Sequence, residues 1–129
     1  MVGREIGTVV NGIKNRIGIL KEAAYWRKDD VYRFVFENGL RLEISSPVFF
    51  HHTILRREDN CIWFGFSPAP VLSGILAYSL FETYGLPLVF TADEMEKHGM
   101  PVDEEGFRIM EMLGHERSRN TFRGKDAFR

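Results

Sequence analysis

Apolar and polar residues alternate along two neighbouring stretches in the first half of the chain. Val31–Phe36 and Leu40–Ile44 both alternate with a period of two, which is typical of strands that bury one face. Asn38-Gly39 lies between them, and this dipeptide between two alternating runs indicates a hairpin turn. Val48–Leu55 and Cys61–Phe66 predict a second hairpin, joined by a polar turn.

Residues 5–20 fit two interpretations. Their apolar residues follow helical spacing, at Ile6, Val9, Val10, Ile13, Ile17 and Leu20. Three glycines in the same stretch, Gly7, Gly12 and Gly18, disfavour a helix and suit strands with turns. Because the residues that follow are β-rich, we predict strands over 5–20, and Ala23–Trp26 can supply a further strand.

The second half of the chain has the pattern of helices. Val71–Tyr84 places its apolar residues at helical spacing, and Gly85 stands where a left-handed cap would end that helix. Thr91 and Glu94 have the spacing of a capping box, which predicts a second helix beginning at Thr91. Asp103 can cap a third helix, because carboxylates accept hydrogen bonds from the free amides of a first helical turn.

The predicted fold class is therefore α+β. An N-terminal antiparallel β-meander of four to five strands would pack against three C-terminal helices, which would cover its apolar face. The length of 129 residues and the hydrophobic content of 44% suit a single domain over 1–129. We divide it into a β-rich half over 1–68, a helical half over 70–119 and a flexible basic tail over 120–129.

Charge is distributed unevenly along the chain. Met1–Phe81 carries a net charge of +2, Glu82–Glu116 a net charge of −7 and Arg117–Arg129 a net charge of +4. A phosphate-binding surface needs clustered Lys and Arg, so the acidic middle opposes nucleic-acid contact. Such a stretch is typical of a solvated helical face. The basic tail and the N-terminal half remain candidate regions for binding phosphate.

Cys61 is the single cysteine of the chain, which excludes an internal disulfide and favours a reducing compartment, so we predict a cytoplasmic location. No apolar run approaches the roughly 20 residues that a membrane helix needs, so no membrane partner is predicted. Cys61 fits a buried strand cysteine better than a nucleophile. His51 and His52 are adjacent and would point to opposite faces of a strand. We predict no catalytic residue, no metal site and no cofactor.

Aromatic residues are frequent in the predicted sheet, and such residues can stack with nucleobases. The candidate platform consists of Trp26, Tyr32, Phe34, Phe36, Trp63, Phe64 and Phe66, flanked by Arg27, Arg33 and Arg41. Aromatic residues at alternating strand positions are more often part of a core. If the sheet face that carries these residues is exposed to solvent, the stacking interpretation is favoured. If the helices pack on that face, the stacking interpretation is excluded.

One segment of the helical half resembles a known family. Leu80–Pro87 reads L-F-E-T-Y-G-L-P, Thr91–Asp93 reads T-A-D and Val102–Phe107 reads V-D-E-E-G-F. Their order and spacing resemble part of the helical tRNA-recognition region of the alanyl-tRNA synthetases, over about Leu80–Arg119. The resemblance does not extend to Met1–Pro70.

The resemblance implies that the acidic residue of the D-T-Y-G motif faces the acceptor stem of a tRNA. Glu82 stands where the family has Asp, and Leu86 stands where it has Phe. No aminoacylation motif and no editing metal-site spacing of that family is found, so we predict neither alanine activation nor deacylation of tRNA. Local similarity does not by itself carry function.

Two hypotheses follow. In the first, the protein is a non-catalytic RNA-binding or tRNA-associated module that contacts an acceptor stem near Glu82, Thr83 and Tyr84. Phosphate would be bound by basic residues, namely Arg27, Lys28, Arg33, Arg41, Arg117, Arg119 and Arg123. In the second, the chain is a protein-interaction or small-ligand module whose partner is another protein or a second copy in a homodimer.

Overall fold

The computed structural model describes residues 1–127, with side chains described through residue 115. The described residues form six strands and four helices. In chain order they are β1 (Glu5–Val10), β2 (Ile13–Trp26), β3 (Val31–Phe36), β4 (Arg41–Ser45), α1 (Ser46–His51), β5 (Thr53–Glu58), β6 (Cys61–Phe66), α2 (Gly74–Tyr84), α3 (Leu88–Lys97) and α4 (Glu104–Ala127). The predicted α+β class is confirmed. Within the described residues, no helix has the length and apolar character needed to cross a membrane.

The six strands form one sheet in the order β4-β3-β2-β1-β6-β5. All neighbouring strands are antiparallel except β1 and β6, which pair in parallel with Ile6 opposite Ile62. The sheet is therefore mixed and six-stranded, where we predicted a purely antiparallel meander of four to five strands. The difference arises because β1 bonds to strands on both sides, which places the β5–β6 hairpin beside β1 instead of beside β4.

Asn-Gly dipeptides form two of the hairpin turns. Asn11 and Gly12 both have positive φ, at 52° and 78°, and they join β1 to β2, so the prediction of strands over 5–20 is confirmed. The Asn38-Gly39 hairpin is also confirmed, with the Asn38 side chain accepting a hydrogen bond from the amide of Leu40 at 3.0 Å. Ala23–Trp26 is the end of β2 rather than a separate strand.

The helix α1 occupies residues that we predicted to be strand. Ser45 precedes it, Pro47 lies in its first turn and Phe49 is its buried residue. Proline is favoured at the start of a helix, because its fixed φ suits the helix and its missing N–H has no intrahelical partner there. The prediction of a strand from Val48 was therefore wrong. The second hairpin is confirmed as β5 and β6, joined at the left-handed pair Asp59-Asn60.

The helix α2 ends as predicted, at Gly85 with a φ of 70°. The helix α3, however, begins at Leu88 after Pro87, three residues before the predicted start. Proline opens a helix readily, whereas a cap at Thr91 would have required that residue to lie outside the helix. Thr91 lies inside α3 and its hydroxyl is buried, so the predicted capping box was wrong.

The helices α1, α2 and α4 pack on one face of the sheet, and α3 packs against α2. The main core joins strand residues of that face to four helical side chains, namely Ile6, Leu20, Phe34, Phe36, Ile44, Leu55, Ile62 and Phe64 with Phe49, Ile75, Ile109 and Leu113. On the opposite face of β2, β3 and β4, Ala24, Trp26, Arg41 and Glu43 are exposed. The predicted tail over 120–129 lies outside the described side chains.

Candidate nucleic-acid interface

Glu82, Thr83 and Tyr84 form the exposed C-terminal turn of α2. Tyr84 is 72% exposed, although tyrosine rings are usually at least half buried. The other end of α2 is fixed, because Ser73 caps it by accepting a hydrogen bond from the amide of Ile75 at 3.1 Å. The three residues that the family resemblance singles out are therefore presented to solvent by a helix whose start is buried.

Large apolar side chains are exposed where α2 meets α3. Phe81, Tyr84, Val89 and Phe90 are all among them, and we call this surface the α2–α3 elbow. It was missed at the level of sequence, although a signal was present. Leu88, Val89 and Phe90 follow one another directly, and three consecutive positions of a helix cannot all face the same core.

Four basic residues predicted to bind RNA belong to the other side of the molecule. Arg27 and Lys28 are exposed in the turn between β2 and β3. Arg33 lies on β3 opposite Glu43, and Arg41 lies on β4 two positions before Glu43, on the same face. All four residues therefore belong to the β2–β4 part of the sheet, with Arg41 nearer the β3–β4 turn and the other three nearer the β2–β3 turn. The predicted Arg117, Arg119 and Arg123 lie beyond the described side chains.

Arg33 already has acidic partners. Its Nη2 lies 3.0 Å from Oδ2 of Asp29, and its Nε lies 2.9 Å from Oε1 of Glu43. Its guanidinium also covers the Trp26 ring, 4.3 Å from the ring centroid. Arg33 is therefore held between carboxylates and an indole, which makes it a positioned group rather than a free phosphate ligand.

Most aromatic residues of the predicted platform are not accessible. Tyr32 and Phe66 pack against the core, and Phe34, Phe36 and Phe64 are buried in it. Trp63 faces the other way, but it is only 5% exposed, lies against Gly7 and has Lys14 and Arg16 over its ring. Trp26 is the exception among the described residues of the set, because it is 49% exposed.

The surroundings of Cys61, His51 and His52 do not favour nucleophilic or metal-binding chemistry. Burial raises the pKa of the Cys61 thiol, which disfavours the reactive thiolate. His51 and His52 lie at the end of α1 rather than on a strand, and Nδ1 of His52 is 2.9 Å from the carbonyl oxygen of Ser67. Within the described residues, no three His, Cys, Asp or Glu side chains are grouped to hold a metal ion.

Asp103 has a larger role than the predicted helix cap. Its Oδ1 accepts a hydrogen bond from the amide of Gly106 at 3.2 Å, which confirms the cap at the start of α4. The same carboxylate also accepts the amide of Leu55 at 2.8 Å and Nη1 of Arg56 at 2.7 Å. Asp103 therefore fixes the first turn of α4 to the edge strand β5.

Comparison with known proteins links the chain to one family of ligases. The alanine-tRNA ligase of Methylococcus capsulatus is 43% identical over 51 residues, which cover 40% of this chain and 6% of that protein. The alanine-tRNA ligase of Rickettsia canadensis is 34% identical over 58 residues, or 45% of this chain and 7% of that protein. No family model matches the chain, and no solved structure gives a significant match.

A longer alignment extends beyond the motif segment. The alanine-tRNA ligase of Helicobacter pylori is 29% identical over 123 residues, which cover 93% of this chain and 13% of that protein. An alignment of that extent includes most of the β-rich half, where we found no resemblance. The chain spans 6 to 13% of the length of these curated relatives. It therefore contains a segment similar to part of the alanine-tRNA ligases, as the sequence motifs predicted.

Proposed function

We propose that the protein is a non-catalytic tRNA-binding module and that the end of α2 contacts the tRNA. The observation that carries this proposal is the exposure of the whole motif turn. Every residue from Phe81 to Gly85 is exposed, so the E-T-Y-G sequence is not needed to build the core. The similarity to alanine-tRNA ligases supports tRNA as the ligand.

The three motif side chains offer complementary contacts to RNA. The carboxylate of Glu82 can accept a hydrogen bond from the exocyclic amino group of a base. The hydroxyl of Thr83 can bond a phosphate or a ribose 2′-hydroxyl, and the ring of Tyr84 can stack. Phosphate attraction would come from the basic residues elsewhere in the chain, because the region around α2 and α3 is acidic. A cytoplasmic location and a single-domain organisation remain predictions.

Substitution of Glu82 tests this proposal. In a binding titration at low and at physiological salt, we expect alanine tRNA to bind more tightly than an unrelated tRNA. Glu82→Ala should reduce that preference by about tenfold, which corresponds to the loss of one base contact. Overall affinity for the unrelated tRNA should change little, because a carboxylate contributes no attraction to phosphate.

Glu96→Ala is the matched control, since it removes the same charge from an exposed position on α3. If both variants change binding equally, the effect is general electrostatics and Glu82 makes no specific contact. Absence of binding at micromolar protein would contradict the tRNA-binding function itself. Binding that is sensitive to salt but equal for both tRNAs would leave only phosphate contacts.

The α2–α3 elbow favours a second candidate function, a protein-interaction module. Exposed apolar side chains grouped at one place often mark a protein contact. If a second copy binds there, Val89→Ser should convert a dimer into a monomer in analytical ultracentrifugation. Ile13→Ser is the control, because Ile13 is also an exposed apolar residue but lies at the turn between β1 and β2. A monomeric wild-type protein would exclude the homodimer.

A further inference from the structure

Trp26 is turned to the outer face of the sheet by an irregularity in β2. Leu20 pairs with Phe36, whereas Glu22 pairs with Val35, so the register shifts between Leu20 and Glu22. In a regular strand, Leu20 and Trp26 would share a face, since both have even numbers. The bulge reverses this relation, so that Leu20 enters the core and Trp26 faces solvent. Bulges often re-aim a side chain beside a functional site.

The exposed indole is backed on one side by a fixed cation. The guanidinium of Arg33 lies 4.3 Å from the centroid of the Trp26 ring. Asp29 and Glu43 hold that guanidinium from two directions, at 3.0 Å and 2.9 Å. Trp26 nevertheless remains 49% exposed, so part of a flat, apolar ring is accessible to solvent beside the guanidinium.

The adjoining turn is also fixed, and it carries two cations. Asp30 has a φ of 52°, its carboxylate accepts a hydrogen bond from the hydroxyl of Tyr25 at 2.6 Å, and its carbonyl accepts the amide of Ser46 at 2.9 Å. Arg27 and Lys28 are exposed in this turn, directly after Trp26 in the chain. A ligand that stacks on the indole would place its neighbouring phosphate within reach of these cations.

The charges around the indole balance, and this determines the class of ligand. The cations nearest the indole, Arg27, Lys28 and Arg33, are matched in number by the carboxylates Asp29, Asp30 and Glu43. A surface that binds duplex through its phosphates needs an excess of positive charge. A neutral surface with an accessible tryptophan ring instead suits stacking, which every nucleobase can provide. An unpaired nucleotide is therefore a better ligand here than a duplex.

We propose that Trp26 is a stacking site for one unpaired nucleobase of RNA. Arg33 positions the ring from behind, and Arg27 and Lys28 contact the adjacent phosphate. This inference rests on the proposed function in taking RNA as the ligand, but it concerns a different face of the protein from Glu82. The protein would then have two RNA contacts. The turn of α2 would contact an acceptor stem, and Trp26 would bind a single-stranded nucleotide.

Tryptophan fluorescence tests the site directly. We expect a short single-stranded oligoadenylate to quench the fluorescence of the full chain, and we expect no quenching in Trp26→Phe, whose remaining indole, Trp63, is covered. Measured by anisotropy of a labelled oligonucleotide, Trp26→Ala should bind at least about tenfold more weakly than wild type, and Trp26→Phe should be intermediate because it keeps a ring. The affinity should depend only weakly on salt, since few phosphates are bound.

The controls separate this site from the proposed function. Ile13→Ser removes another exposed apolar side chain, from the turn between β1 and β2, and should leave oligoadenylate binding unchanged. Equal oligoadenylate affinity for wild type and Trp26→Ala, or quenching that persists in Trp26→Phe, would overturn the stacking site, even if the preference for alanine tRNA still depended on Glu82. Conversely, if alanine tRNA bound no more tightly than an unrelated tRNA while Trp26→Ala still weakened oligoadenylate binding, the proposed function would fail and the stacking site would be supported.

Discussion

Asp103→Ala is expected to lower the free energy of unfolding by about 2–4 kcal/mol, because it leaves a buried backbone amide without its acceptor and removes a helix cap. The side chain of Asp103 is only 1% exposed, and its oxygens accept three hydrogen bonds, from the amide of Leu55, from Arg56 and from the amide of Gly106. Alanine would leave the Leu55 amide without a partner and would remove the cap of α4. The expected consequence is loss of contact between the edge strand β5 and the first turn of α4.

Urea denaturation followed by circular dichroism measures this change. Asp103→Asn should cost less, about 1–2 kcal/mol, because an amide oxygen can still cap the helix while the charge that pairs with Arg56 is lost. Glu104→Ala is the control at the neighbouring position, where the side chain is exposed and the change should stay within about 0.5 kcal/mol. A cost below about 1 kcal/mol for Asp103→Ala would mean that the three hydrogen bonds do not hold the two halves together.

Local chemistry explains which parts of this fold could be predicted. Gly39 takes the positive φ of 86° that few other residues tolerate, and the Asn38 side chain bonds the amide of Leu40, so this hairpin is encoded within a few residues. Gly85 and Asp103 act in the same local way at the end of α2 and at the start of α4. In each case the residue that decides the structure lies next to the structure that it decides.

The incorrect predictions involve competition between signals or pairing over long distances in the chain. Val48, Phe49 and Phe50 favour a strand by propensity, but Pro47 in a first turn and the burial of Phe49 favour α1. In α3, Pro87 opens the helix before Thr91 can cap it. The parallel pairing of β1 with β6 joins residues more than fifty positions apart, and no local pattern specifies such a partner.

The candidate site shows the same division. The motif around Glu82 was found from sequence because its residue types are distinctive and contiguous. Trp26 was found only as one aromatic residue among several, because its accessibility depends on the register shift between Leu20 and Glu22. An extra residue in one strand changes no residue type in the pattern, yet it reverses the face of every side chain that follows.

Gly74→Ala is expected to cost about 3 kcal/mol of stability, because the added methyl group overpacks a site that has no room for it. Its Cβ would collide with the backbone of Asp103, Gly106 and Phe107, and backbone atoms in the first turn of a helix cannot rotate away. A decrease in the free energy of unfolding would point to this collision, since alanine in place of glycine normally stabilises a helix by roughly 1 kcal/mol.

Gly114→Ala is the matched control for this substitution within α4. There the added Cβ would meet the hydroxyl end of the Tyr78 side chain, which can shift, so the steric cost should be smaller and partly offset by helix propensity. Urea denaturation should therefore give a clearly lower midpoint for Gly74→Ala than for Gly114→Ala. Because α2 begins at Gly74 and ends in the exposed Glu82 turn, displacing this helix should also remove the preference of the protein for alanine tRNA. A Gly74→Ala protein as stable as wild type would show that α2 can move away from α4 without a loss of stability. The contact between α2 and α4 would then not be what positions Glu82.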